Sequence, residues 1–169
     1  MDRVTGFVAK RGVPAKGGGV MVAMTSGSLM PSWVFERCGY FNEELFIDQV
    51  DFEFCLRVRK SGFLVLQSDC AVLLHSPGSP LSKPLLGMCV FKTSNHSAKR
   101  RYYITRNGIW LIRRYWKDAP SWCLITLLSL MKDPVKIILA EEDRSAKLKC
   151  ILLGVSHGLE GRLGNTLGL

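Results

Sequence analysis

No Cys-x-x-Cys pair occurs among the six cysteines, at positions 38, 55, 70, 89, 123 and 150, and the three histidines stand at no zinc-finger spacing from them. That argues against a zinc site. Long hydrophobic runs are also missing. The longest, Trp122 to Met131, is about half of the roughly 20 residues that a spanning helix needs, and it contains Thr126 and Ser129. No apolar stretch follows the first charges, so no signal peptide is expected, and a reducing cytoplasm with free thiols is the reading. No self-similarity at 20 to 50 residues is present, which excludes solenoids and arrays.

What is present suits a single domain. Of 169 residues, 47% are hydrophobic and 22% charged, enough apolar material for a sizeable core. The class expected is α/β, or α+β for the segment as it stands. The net charge of +9 is uneven: residues 1–94 carry 10 bases and 8 acids, residues 95–169 carry 13 and 6. Between Lys99 and Lys117 lie seven bases and no acid, interleaved with Tyr102, Tyr103, Trp110, Tyr115 and Trp116. Such a stretch suits phosphate, in a diphosphate ligand, a lipid headgroup or nucleic acid, and it also suits a solvated basic face. No helix-turn-helix, RRM or zinc-finger pattern accompanies it, so nucleic acid is not the expected partner.

Along the chain, residues 10–19 read as loop and Val20–Met24 as a buried strand. A turn at Ser26-Gly27-Ser28 leads to a short helix, Ser32–Cys38, which Gly39 ends. After the aromatic loop 40–47, Asp48 is placed as the N-cap of a helix running to Lys60 and stopped by Gly62, with Asp51 at its third position and Val50, Phe54 and Val58 on the core face. Strands are expected at Phe63–Leu66 and Cys70–His75, then a Pro/Ser loop over 76–84. Asn95-His96-Ser97 heads a basic helix, 98–117, interrupted at Gly108. Asp118-Ala119-Pro120 ends it, Ser121 caps the next, Asp133-Pro134 ends that one, and 135–153 form a last amphipathic helix. Gly154–Leu169 read as a loose tail.

Asp48 and Asp51 sit three apart at a helix N-terminus with Glu53 beside them, enough for a base or a metal site, or simply for capping and complementing the helix dipole. His75 closes a strand at a Ser/Pro loop, a place for a ligand contact or a satisfied structural histidine; His96 has the same two readings. His157 reads as surface. Tyr103, Asn107 and Trp110 share a helical stripe beside Arg106, and a polar stripe with Asn among aromatics is not typical core.

Five segments in series resemble the C-terminal half of an inverting family-2 glycosyltransferase of the GT-A fold, of the rhamnosyltransferase branch. They are Thr25-Ser26-Gly27-Ser28-Leu29; Gly39-Tyr40-Phe41-Asn42-Glu43-Glu44-Leu45-Phe46-Ile47-Asp48; Val50-Asp51-Phe52-Glu53-Phe54-Cys55-Leu56-Arg57 with Gly62; Leu74-His75-Ser76; and Arg101-Tyr102-Tyr103-Ile104-Thr105-Arg106-Asn107.

The resemblance implies that Asp51 is the catalytic base, with Val50 where Glu is usual, and that sugar passes from a nucleotide-diphosphate donor, with rhamnose a candidate, to a glycan or lipid-linked acceptor. It implies a divalent metal, Mg or Mn, near the diphosphate, His75 facing the diphosphate or the metal, and Arg101 and Arg106 on the phosphates. Tyr103 and Asn107 would shape the site, beside Asp48 and Glu53. A helix N-terminus lowers a carboxylate's pKa, and like charge from Asp48 and Glu53 is expected to counter that. The architecture implied is part of a Rossmann-like fold, a short mixed sheet with C-terminal helices, divided into residues 1–117 and an amphipathic extension, 118–169. The family's first half, ending in a D-x-D-like motif, has no counterpart here, so this chain alone is expected to be inactive, and an exposed edge to favour self-association. The helices after 118 suit peripheral contact with the inner face of the plasma membrane, or packing on their own domain. The competing reading is an inactive remnant or a membrane- or partner-binding module.

Overall fold

The computed structural model describes residues 18–68, 81–85, 89–93 and 95–168, the two five-residue stretches as backbone only. Helix dominates. Strand β1 (Gly19–Val20) pairs antiparallel with β2 (Val65–Leu66), Gly19 opposite Leu66 and Val20 opposite Val65. A second antiparallel pair, β3 (Leu81–Leu85) and β4 (Cys89–Thr93), forms a hairpin. The helices are α1 (Trp33–Cys38), α2 (Val50–Lys60), α3 (Ala98–Tyr115), α4 (Pro120–Ala140) and α5 (Arg144–Glu160). The arrangement is consistent with a mixed α/β segment. In place of one short mixed sheet, the described strands make two separate antiparallel pairs.

Helix α2 lies between two cores. Phe54 and Val58 pack with Val34 and Cys38 of α1, joined by Phe35, Phe41 and Phe63. Leu56, a little further round α2, packs with Val22, Leu111, Tyr115, Trp122 and Cys123. Burying a side chain of this size contributes about 1.5–3 kcal/mol, so these clusters fix α2 against both α1 and α3. Gly39 ends α1 at φ 79°, ψ 167°, a conformation essentially reserved for glycine. Gly62, at φ 88°, closes α2, its N–H donating to the Arg59 carbonyl at 2.9 Å.

Several expectations need correction. The strand at Val20–Met24 is only its first residue, with Gly19. The segment 81–84, read as loop, is strand; the five-residue partner β4 offers enough backbone pairing to hold a Pro-containing edge. The Cys70–His75 strand lies outside the described residues. Gly108 does not interrupt α3: a Cβ there would stand 3.0 Å from Leu130 Cδ1, so glycine serves the close packing of α4. Pro134 does not end α4, because burial of Ile137 and Ala140 beyond it outweighs one lost backbone bond. Ala119, not Ser121, occupies the N-cap of α4, with Pro120 in the first turn.

The last correction concerns residues 154–168. Helix α5 continues through them to Glu160, and Gly154 and Gly158, four apart, face α3 so closely that helix meets helix backbone to backbone. Beyond Gly161 the chain is held. Tyr103 Oη donates to Asn165 Oδ1 at 3.0 Å, Tyr102 Oη meets Thr166 Oγ1 at 2.6 Å, and the Gly164 N–H donates to the Glu44 carbonyl at 2.6 Å.

Candidate active site

The approach to α2 is tightly wound. A 3₁₀ turn, Glu43–Leu45, is capped by Asn42, whose Oδ1 accepts from the Glu44 N–H at 3.2 Å. At Phe46 the backbone takes φ 64°, ψ −61°, and the Ile47 N–H donates to the Leu45 carbonyl at 2.8 Å. That is the positive-φ γ-turn, the rarer and strained hand. Asp48 and Gln49 follow, both at φ 62°. Three left-handed non-glycine residues in four are costly, of order 1–3 kcal/mol each.

Helix α2 begins at Val50 with Gln49 as its cap, so Asp48 is not the N-cap and Asp51 is the second helical residue rather than the third. Asp48 instead takes a two-pronged salt bridge from Arg100 of α3, Nη2 to Oδ1 at 2.8 Å and Nε to Oδ2 at 3.0 Å. Gln49 Nε2 donates to the Ile104 carbonyl at 3.2 Å.

Asp51 is half-buried. Its Oδ1 accepts from the Phe52 N–H at 3.0 Å. Burial pushes its carboxyl above the usual carboxylate range; N–H bonds from Phe52, Asp51 itself and Thr25 pull the other way, and the charge of Asp48 adds to the rise. The expected lowering by the helix end is therefore outweighed by desolvation. The expected like-charge push comes from Asp48. Glu53 is not among its causes.

Glu53 is fully engaged elsewhere. Its carboxylate is buried and accepts from Arg57 Nη2 at 2.8 Å and from Tyr115 Oη at 2.7 Å. Burial, with this bond, pushes the Tyr115 phenol up to about 12. Arg57 also donates to the carbonyls of Cys38 and Tyr40. At 100° per residue, positions 51 and 53 face opposite sides of α2. Glu53 sits instead in the wall of an open cleft of about 370 Å³ that also includes Tyr40, Asn42, Glu44, Trp110 and Arg114.

The α3 candidates turn inward as well. Arg106 is fully buried, donating to the carbonyls of Gly164 at 2.6 Å and Leu45 at 3.0 Å, with its guanidinium 4.8 Å from the Tyr103 ring centre. Asn107 is fully buried too: its Nδ2 donates to the carbonyls of Leu45, Ile47 and Asp48 at 3.0, 2.8 and 2.9 Å, while its Oδ1 accepts from Arg106 Nε. Tyr103 is buried under the 161–168 segment, against the Phe46 ring. Arg101 joins a buried ionic cluster, 2.5 Å from Glu141 and 2.9 Å from Asp133, with Lys147 at 2.9 Å from Glu141. His75 lies outside the described residues.

The structure thus brings Asp48, Asp51, Tyr103, Arg106 and Asn107 to one region, around the turn that enters α2, and leaves Glu53 and Arg101 in separate ion pairs. Sequence reasoning missed Arg100 as the partner of Asp48, although its spacing from Tyr103, Ile104 and Asn107 puts it on their stripe. It also missed Gln49 and Tyr115. Among the described residues no group of three His, Cys, Asp or Glu side chains is arranged to hold a metal ion, and no helix is long and apolar enough to cross a membrane.

Over 143 residues, 85% of its length, the chain is 32% identical to the dTDP-rhamnosyl transferase RfbF of Shigella flexneri. The similarity is to a rhamnosyltransferase. It spans 47% of that protein, so the chain corresponds to about half the length of the relative it matches. No protein-family model and no solved structure matches the chain.

Proposed function

We propose that this chain carries the base-bearing part of an inverting glycosyltransferase, of family 2 and GT-A type, that moves rhamnose from a nucleotide-diphosphate donor to a glycan or lipid-linked acceptor. One observation carries the assignment of the base. Of the three carboxylates on this segment, Asp48 and Glu53 are each paired with an arginine, whereas Asp51 has no cationic partner among the described residues. A half-buried carboxylate shifted upward, whose oxygens no arginine occupies, is suited to accept a proton. In the proposed step Asp51 removes the acceptor hydroxyl proton as that oxygen attacks the anomeric carbon, and the nucleotide diphosphate departs from the opposite face.

The Mg or Mn ion implied by the resemblance does not fit the described carboxylates, since Asp48 and Glu53 are already engaged, and no step here is routed through it. His75 stays in the proposal as a diphosphate contact. The test is Asp51→Asn in an enzyme that joins this chain to a donor-binding half, assayed with dTDP-rhamnose. Loss of transfer by about 10²–10⁴-fold is the expected size for a general base. Unchanged transfer with retained folding removes Asp51 from the role.

A second element of the reading rests on α4, where Leu124, Leu128, Met131, Val135 and Ile138 are exposed at alternating four- and three-residue spacing, beside Lys132 and Lys136. Such a face suits shallow contact with an anionic membrane surface. Flotation with anionic liposomes that weakens with salt supports it, and salt-insensitive recovery in the soluble fraction counts against it.

A further inference from the structure

Helix α3 grips the backbone carbonyls of Glu44, Leu45, Ile47 and Asp48. Asn107 alone supplies donors to three carbonyls, so its two N–H groups are shared among Leu45, Ile47 and Asp48, and Arg106 adds the carbonyls of Glu44 and Leu45. Both side chains are fully buried, and neither has surface left for a ligand. The segment they hold is the strained one, with positive φ at Phe46, Asp48 and Gln49. Strain of this kind persists only where surrounding bonds over-determine it. The strained segment leads, after one residue, into Asp51.

We propose that Asn107 is a positioning residue: through the three carbonyls it binds, it winds residues 45–49 into the left-handed path that sets where Asp51 emerges, without touching substrate. The direction of action is from α3 to the turn and from the turn to the first turn of α2. Arg106, oriented by Asn107 Oδ1, ties the same turn to the Gly164 carbonyl. This rests on the reading of Asp51 as the base, yet the winding itself can be measured without any transfer assay.

The experiment is NMR on the isotopically labelled 169-residue chain. In the unmodified protein the Ile47 amide, closing the γ-turn, should exchange with solvent as slowly as amides in the middle of α3; rapid exchange there would overturn the proposal at once. In Asn107→Ala, Ile47 exchange should quicken at least tenfold relative to amides of α5, and the Asp51 carboxyl midpoint should move down toward its ordinary value as the freed turn admits water. A folded Asn107→Ala chain with both readouts unchanged overturns it.

Adding Gln49→Gly removes the left-handed penalty at position 49 together with the Gln49 bond to the Ile104 carbonyl, so the double variant is read against the Gln49→Gly single variant to separate positioning from bulk stability. Recovered thermal stability with Asp51 still displaced supports positioning. Recovery of stability and of the Asp51 midpoint together assigns Asn107 a merely structural role. If Asn107→Ala shifts Asp51 yet leaves transfer intact in the joined enzyme, the positioning stands and the base assignment fails.

Discussion

Gly154 of α5 lies so near the backbone of Tyr102 that a Cβ built on it would stand 2.7 Å from the Tyr102 carbonyl oxygen; Gly158, one turn on, repeats the relationship with Arg106. Two opposed effects act on replacement. Alanine gains about 1 kcal/mol in helix propensity over glycine, but the methyl meets backbone, which cannot swing aside, and overpacking of this kind costs roughly 1–3 kcal/mol or more. The clash should win. Gly154→Ala is expected to lower the urea midpoint, and Gly154→Ala/Gly158→Ala to lower it further; a rise in midpoint would mean that α3 and α5 do not pack this way.

Glu53 and Tyr115 form a second testable pair. Glu53→Ala removes the charged acceptor of Tyr115 and the counter-charge of the partly exposed Arg57, and should cost about 1.5–3 kcal/mol. Tyr115→Phe removes one hydrogen bond and should cost about 1 kcal/mol. The double variant should show non-additivity of at least about 0.5 kcal/mol in denaturant melts; strict additivity contradicts the contact.

Asp51→Asn should stabilise the chain at neutral pH. With its folded pKa raised by burial, the folded state holds more protons than the unfolded state between the two values. Stability therefore falls as pH rises through that window, and the ionised group still costs stability at pH 7. Asparagine keeps an oxygen for the Phe52 N–H. A Tm gain of roughly 1–4 °C at pH 7 is expected, vanishing below about pH 3 where aspartate is largely protonated in both states. Equal Tm shifts at both pH values would contradict this account.

His96 titrates in the opposite sense. Burial, then the charges of Arg100 and Arg101, lower its pKa, against a smaller opposing pull from Asp48 and Glu141. The unfolded chain then takes up a proton before the folded chain does, so stability is lost as pH falls from about 6.5, the ordinary histidine value, to the lowered folded one. His96→Gln should flatten the Tm-against-pH curve in that interval. An unchanged slope would place the acid sensitivity elsewhere.

Local punctuation was the legible part of the sequence. Gly39 and Gly62 end their helices as read, because positive φ is a demand that only a few residues meet, and Ser97 caps α3, its Oγ accepting from the Arg100 N–H. Proline was less reliable: Pro134 stays inside α4 because tertiary burial decided against the local signal. The basic stripe misled for a physical reason. Arg106 and Asn107 look like ligand-facing polar groups, but what they bind is backbone from 60 residues earlier, and carbonyl oxygens carry no signature in a sequence. Gly154 and Gly158 read as tail flexibility, since only a neighbouring helix shows why small residues stand there.

The bond from the Gly164 N–H to the Glu44 carbonyl joins positions 120 residues apart, and Arg106 bridges the same two segments. On the ribosome the chain emerges at about 5–20 residues per second. The turn ahead of Asp51 must therefore wait several seconds, after its own synthesis, for residue 164 to appear. Until then, its carbonyls at Glu44 and Leu45 lack part of their final setting. Any stop or cut between Gly161 and Gly164 would leave a chain with every helix present and that closing contact never made.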